Sequence, residues 1–187
     1  MIPIYINLCE YLSQKLADMK YIDLFNNQYD TAEKEHPFNM PSVFIQFMPI
    51  VDWITNSDGS QTGTLKIQFH LVTTCYSDTA NAHKMSAIDK QMSFKHLQFV
   101  ELSHTFLQNY APVCCTNLQR TAYFPDSEHN QIYATIVEYE CMFTDNSTAE
   151  SIIKETVEVT PDLKVERPID RPVETINEFP TPEPFQI

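Results

Sequence analysis

Two apolar stretches separated by a polar, glycine-bearing break constrain this chain more than any other feature. SVFIQFMPIVDW, residues 42 to 53, and TLKIQFHLVTTC, residues 64 to 75, flank NSDGSQTG, which holds both glycines of the sequence, Gly59 and Gly63. Glycine supplies backbone conformations that other residues adopt only at a cost, so its confinement here predicts a hairpin loop between two strands. In the second stretch Leu65, Ile67, Phe69 and Leu71 alternate with Lys66, Gln68 and His70. That period of two sets one face on a core and the other toward water. In the first stretch both parities are apolar, with Val43, Ile45, Phe47 and Val51 on one side and Phe44, Met48 and Ile50 on the other. The expectation is a strand covered on both faces, by a helix of its own chain and by another subunit. Ordinary core packing is the alternative reading of the same residues.

The remaining elements arrange themselves around this hairpin. Residues 3 to 19 space Tyr5, Leu8, Leu12, Leu16 and Met19 at three- and four-residue intervals behind Pro3, which predicts an amphipathic helix. KYIDLF is a short strand candidate, followed by a polar loop through Glu33, Lys34 and Glu35 to Pro37 and Pro41. Ser93 reads as the N-cap of a second helix, in which Phe99, Leu102 and Phe106 share a side with Val100 and Leu107 beside them. Residues 113 to 124 and 131 to 144 are rich in β-branched and aromatic side chains around the turn PDSEHN, a second hairpin. Residues 1–145 thus predict an α+β domain, an antiparallel sheet built from two hairpins with helices packed on one face.

Beyond Asp145 the composition changes. Half of the 12 prolines follow residue 160, and apolar residues are too sparse for a core, so residues 146–187 read as an extended Pro-rich C-terminal arm that is disordered on its own in water. ETVEVT and DLKVE can add to the sheet edge of a neighbouring subunit, and the proline-rich end can run extended over another surface. The predicted subunit-interface residues are Phe44, Met48, Ile50 and Trp53 in the first strand, and Val157, Val159, Leu163, Val165, Phe179 and Phe185 in the arm.

Twelve Lys and Arg against 25 Asp and Glu give a formal charge of −13, which opposes tight binding to nucleic acid phosphates. The first twenty residues lack the basic region, continuous apolar run and small-residue cleavage site of a secretory signal. No stretch stays apolar for the ~20 residues that a bilayer span needs, so synthesis in the cytosol without a membrane partner is expected. The five cysteines, Cys9, Cys75, Cys114, Cys115 and Cys141, are odd in number and irregular in spacing, and read as reduced core thiols.

Signals for chemistry are weak. Two glycines leave no room for a phosphate-cradling loop, and DGSQTG lacks the strand-to-helix setting of a serine nucleophile elbow. His70, Cys75, His83, Asp126, Glu128 and His129 are the metal-ligand candidates, but none has C-x-x-C or H-E-x-x-H spacing. On this reading His70 belongs to the polar face of its strand and DSEHN to a solvated turn. Cys114 and Cys115 are adjacent, so strand geometry points their side chains to opposite faces. Trp53 reads as a packing or interface residue and Asp52 as a solvated carboxylate. No catalytic, cofactor or metal site is assigned, and no enzyme activity is expected.

The element order carries a resemblance. An opening helix, a strand at MPSVFIQF, a hairpin closing on GTLKIQFHLV, and a helix leading to CCTNLQRTAYFPDSEHNQIYATIVEYECMFTD resemble the tail-terminator or tail-completion proteins of tailed bacteriophages, over roughly residues 1 to 145. The resemblance implies a non-enzymatic virion protein, assembled in the host cytoplasm. Its subunits form a ring, usually a hexamer, that caps the tail tube and joins it to the neck or head. The implied partners are copies of itself, tail-tube proteins and neck or connector proteins, with DNA passing through the lumen unbound. An acidic lumen suits that passage, because Lys and Arg contacts to phosphate are what make DNA adhere. The arm departs from the compact members of the family. A neck, tail-tube or baseplate protein of related fold is the nearest alternative. From other classes come a small cytosolic metal- or cysteine-dependent hydrolase and a monomeric binding module with a proline-rich bait.

Overall fold

In a computed structural model of the chain, the described residues are 1–29, 38–74, 82–126, 132–147 and 149. Among them, helix α1 spans Ile2–Lys15, strand β1 Tyr21–Leu24, β2 Ser42–Phe47, β3 Val51–Thr55 and β4 Gln61–Thr74. A short 3-10 turn at Ala82–Lys84 precedes α2, Ala87–Ser93, and α3, Lys95–Leu107, and the chain then forms β5, Gln119–Asp126, and β6, Ile132–Asp145. The arm, including Val157, Val159, Leu163, Val165, Phe179 and Phe185, lies outside the described residues.

The protein is α+β, with six strands in one mixed sheet of order β1-β2-β4-β6-β5, and β3 paired to β4 off that path. The expected all-antiparallel sheet is corrected at one margin, where β1 runs parallel to β2 from Tyr21↔Ser42 to Leu24↔Ile45. Parallel neighbours need a crossover connection of a dozen or more residues, and the segment from Phe25 to Pro41 is long enough to supply it. β4 and β6 form the spine, paired continuously from Gln61↔Asp145 to Thr74↔Ile132.

The expected single strand from Ser42 to Trp53 is two strands on the same edge of β4. β2 pairs from Ser42↔Val72 to Phe47↔Ile67, and β3 from Val51↔Thr64 to Thr55↔Gln61. The Met48 N–H still donates to Lys66 O at 2.9 Å, but Pro49 has no N–H to give, and the ladder breaks there. The hairpin loop is also shorter than NSDGSQTG. It turns over Asn56 to Ser60, with Asn56 N–H donating to Ser60 O at 2.8 Å and Gly59 in the left-handed region at φ 81°. Gly63 lies inside β4. In the second hairpin only residues 119–126 form the outer strand, and Cys115 makes an isolated bridge to Phe143.

One face of the sheet carries the main core. Ile4, Leu8, Leu12 and Leu16 from the first helix and its end, and Phe99, Val100 and Leu107 from α3, pack on Val43, Ile45, Leu65, Ile67, Phe69, Leu71, Val137 and Tyr139. Each fully buried aliphatic or aromatic side chain there contributes roughly 1.5–3 kcal/mol of transfer free energy. α1 ends at Lys15, earlier than the predicted residue 19, because Leu16 leaves helical geometry at φ −103°, ψ 78° while its N–H still bonds Leu12 O. The predicted cap at Ser93 is corrected, because Ser93 ends α2 and α3 starts behind Phe94 without a side-chain cap; the capping serine is Ser86 of the preceding helix α2, whose Oγ accepts from the Asp89 N–H at 3.2 Å and donates to its carboxylate at 2.7 Å. The buried stripe of α3 is His96, Phe99, Val100, Ser103 and Leu107, whereas Leu102, expected in the core, is 44% exposed.

Among the described residues, the opposite face carries a second apolar cluster at one end, where Tyr29 and Phe38, flanked by Tyr21, Phe25 and Met40, close over Phe44, Val72, Ile132 and Ala134. Farther along this face the side chains turn polar. Gln68 Nε2 donates to Glu138 Oε2 at 2.9 Å, Thr121 Oγ1 to Glu138 Oε1 at 2.9 Å, and Lys66 Nζ lies 3.3 Å from Glu138 and 3.9 Å from Glu140.

Candidate functional site

Three histidines are the groups best placed for proton chemistry, and each is held by structure. His70 was expected on a solvated strand face. It is buried instead, because the segment carrying Phe25 and Tyr29 folds over that end of the sheet. Its ring stacks on Phe25 with centroids 3.9 Å apart, and its Nε2 lies 3.1 Å from Gln46 Oε1. An amide oxygen only accepts, so Nε2 carries the proton and Nδ1 accepts from the Tyr29 hydroxyl at 2.5 Å. Burial lowers the His70 pKa to about 4, with the Asp126 carboxylate opposing that shift. His96 is lowered to about 4 by burial as well, and bridges Thr73 Oγ1 at 2.9 Å and Thr135 Oγ1 at 2.8 Å, clamping α3 to β4 and β6. His104 Nδ1 meets the Tyr139 hydroxyl at 2.8 Å. Its pKa is lowered by burial and by Arg120, and burial raises that of Tyr139.

These groups are neutral at physiological pH and face hydrogen-bond partners rather than an open cavity, so they fasten elements together. Among the described residues no group of three or more His, Cys, Asp or Glu side chains is placed to hold a metal ion. Of the sequence candidates, His83 is exposed in the 3-10 turn and Asp126 ends β5, while Cys75, Glu128 and His129 lie outside the described residues. Glu138 is a structural carboxylate. Burial works to raise its pKa, but the hydrogen bonds from Gln68, Thr121 and Lys66 outweigh this and lower it. A cleft of about 540 Å³ between the end of α1 and the α2–α3 corner is lined by Leu16, Lys20, Thr73, Lys95, Phe99 and Leu102 among others. Thr73 in its lining is buried, and its hydroxyl is held 2.9 Å from His96 Nδ1 as part of the clamp described above.

The surfaces that stand out are two strand edges of the sheet, β3 beside β4 and β5 at the margin opposite β1. β3 is exposed along its whole length, with Trp53 at 46% and Ile54 at 59%. Its register slips by one residue between Val51 and Ile54, where Asp52 takes φ 56°, the geometry of a bulge that twists the strand and leaves side chains outside the core. Trp53 stands edge-on to Phe143, and Ile50 packs over Gly63. On the far margin β5 presents Tyr123 and Phe124, each 44% exposed, next to a second register slip between Arg120 and Ala122. Among the described residues β3 pairs only with β4, and β5 only with β6, so both outer edges are open.

The predicted interface residues divide accordingly. Phe44 is fully buried in the chain's own second cluster, the packing alternative for that residue. Met48 and Ile50 are half-buried at the strand break. Trp53 is exposed on an open edge. Val51, Ile54, Tyr123 and Phe124 are also exposed on these edges, a placement the sequence did not show, because alternation alone does not reveal which strand is at an edge or where a bulge turns its side chains outward. No family model matches the sequence, and no curated protein matches it either.

Proposed function

We propose that the chain is a structural virion protein, a tail terminator or tail-completion subunit that forms a ring on the tail tube and joins it to the neck or head. The observation that carries the proposal is a pair of apolar strand edges, open among the described residues, on opposite sides of the β4–β6 spine: β3 with Trp53 and Ile54, and β5 with Tyr123 and Phe124. Two different surfaces on opposite sides suit a head-to-tail contact between copies, and a repeated head-to-tail contact closes into a ring when its rotation allows. Open strand edges also invite pairing with another chain, which a partner strand satisfies. The resemblance in element order supplies the position in the particle.

The other features fit the same assignment. The arm, residues 146–187, follows β6 in sequence, and on this reading it grips neighbouring subunits, so that once one contact forms the next is effectively intramolecular. A net charge of −13 lets DNA pass a lumen without adhering. Histidines used as internal fasteners suit a scaffold and no catalytic step. Negative-stain electron microscopy of the purified full chain tests this: rings with an open centre are expected, and a field of single subunits at concentrations well above those of an assembly reaction would contradict it.

A further inference from the structure

The cleft beside the end of α1 lies at one end of the sheet, and Asp145, from which the arm continues, lies at the other. The cleft is lined by Thr73, near the close of β4, and by Pro41, just before β2. The pairing Gln61↔Asp145 sets the last residue of β6 beside the start of β4. Between Gln61 and Thr73 the strand covers ~40 Å at ~3.3 Å per residue. The cleft holds about 540 Å³, within the ~300–1,000 Å³ of sites that take a drug-sized ligand. Leu16 and Phe99, both buried, and Leu102, exposed, supply its apolar lining. The polar part is rich in donors: Lys20, Lys95, Gln91 and Gln98 carry N–H groups, and Asp18 is the single acid among the described residues that line it. The adjoining stretch 82–95 carries Lys84, Lys90 and Lys95 against Asp89 alone, in a chain of formal charge −13.

We propose that this cleft receives the end of the arm, residues 172–187, from a neighbouring copy of the chain. That segment, PVETINEFPTPEPFQI, carries Glu174, Glu178 and Glu183 and no Lys, Arg or His, so its charge complements the lysines of the cleft. Phe179 is the apolar anchor for Leu16, Phe99 and Leu102, with Glu178 before it and Glu183 after it to meet the lysines. Pro172, Pro180, Pro182 and Pro184 have no backbone N–H and present carbonyls that only accept, which lysine and glutamine side chains satisfy. A proline-rich backbone also has less freedom to lose on binding, the reason that extended Pro-rich segments dock well in apolar grooves. Residues 146–171, which connect β6 to this segment, reach roughly 85 Å when extended. That is about twice the length of β4 between Asp145 and the cleft, so the cleft of an adjacent copy is within range. Because the start of the arm and the cleft lie at opposite ends of each subunit, the contact joins two different surfaces and is head-to-tail. The inference rests on the function proposed above only in placing arm and cleft on separate chains.

The test uses the full chain carrying Thr181→p-benzoylphenylalanine, a photoreactive residue placed near Phe179 that leaves the anchor intact. After irradiation, denaturing electrophoresis separates linked pairs of chains from chains linked within themselves, and peptide mass spectrometry locates the bond. The expected product is a pair of chains joined from the arm of one to residues 16–20 or 91–102 of the other. Leu102→Glu and Lys20→Glu, both at exposed positions of the cleft, are each expected to lower its yield by about tenfold, because they set like charges against the arm. An unchanged thermal midpoint shows that each variant is folded. Phe179→Ser is expected to lower the yield in the same way. Links within one chain only, links that fall on β3, β5 or elsewhere outside the cleft, a yield that none of the substitutions lowers, or no linked product would overturn the proposal and leave the cleft to another occupant. Pairs linked at the cleft in an assembly that is not a ring would leave this inference standing while the ring reading fell. Rings whose arms link elsewhere would do the reverse.

Discussion

The Tyr29 hydroxyl and the His70 imidazole meet at 2.5 Å where the chain folds over the second face of the sheet. With Nε2–H committed to Gln46, the neutral ring accepts from Tyr29 at Nδ1, and protonation would reverse that bond at the cost of a buried charge. His96 is likewise a neutral clamp between two threonine hydroxyls. Both histidines have folded-state pKa values lowered to about 4, mainly by burial, against an ordinary value of 6.5.

Acid is therefore expected to unfold this protein earlier than its carboxylates would. A depressed histidine pKa leaves stability whole above pH 6.5 and removes it as pH falls toward 4, at about 1.4 kcal/mol per pH unit for each histidine fully in that window. Urea midpoints measured between pH 7.5 and 4.5 check this. A flat profile above pH 5 would mean that the two rings are not buried as neutral groups.

Tyr29→Phe keeps the ring and removes the donor, leaving His70 Nδ1 buried without it. A loss of about 1–3 kcal/mol is expected, the range for an orphaned buried acceptor. Denaturant unfolding at pH 7.5 gives the number, and no loss of stability would mean that the Tyr29 hydroxyl does not donate to His70.

Gly63→Ala introduces a Cβ 2.7 Å from Ile50 Cγ2, 3.1 Å from Val51 O and 3.2 Å from Trp53 Cδ2. The Ile50 methyl can swing away, but the backbone oxygen cannot without disturbing the bulge. The expected cost is about 1–3 kcal/mol, as for other overpacked sites. Trp53 is the sole tryptophan, so its fluorescence reports whether the β3 edge moves. An unchanged spectrum with unchanged stability would contradict the packing of β3 over β4.

Ser42 is fully buried at the start of β2, and its Oγ lacks a hydrogen-bond partner among the described residues. Ser42→Ala removes a desolvated hydroxyl without removing a bond. Stability should stay level or rise by about 1 kcal/mol, and a clear fall in the thermal midpoint would reveal a partner for that hydroxyl.

The sequence showed the β3–β4 hairpin plainly, because Leu65 to Leu71 alternate cleanly and Gly59 sits where the turn needs a left-handed residue. It showed the opening helix for the same kind of reason, a regular apolar spacing. Other features were hidden by physics that acts at a distance. The parallel pairing of β1 depends on where a crossover places four residues, which no local pattern records. The stripe of α3 includes His96 and Ser103, polar residues that belong in the core only because Thr73, Thr135 and the Phe99 carbonyl satisfy them. His70 reads as solvent-facing by alternation, and is buried by a segment forty residues earlier. Phe44 looked like an interface residue because both parities of its strand are apolar, yet its cover comes from Tyr29 and Phe38 of the same chain. Trp53 was legible as an edge candidate, while Tyr123 and Phe124 needed the sheet order to show that β5 is a margin.

The most direct test of ring assembly is the solution mass of the full chain by light scattering on a sizing column, beside Trp53→Lys and beside the chain ending at Asp145. Assembly through the strand edges and the arm predicts a species near six times the chain mass, shifted to smaller species by the charge placed on the β3 edge and by loss of residues 146–187. The mass of a single chain in all three would contradict it.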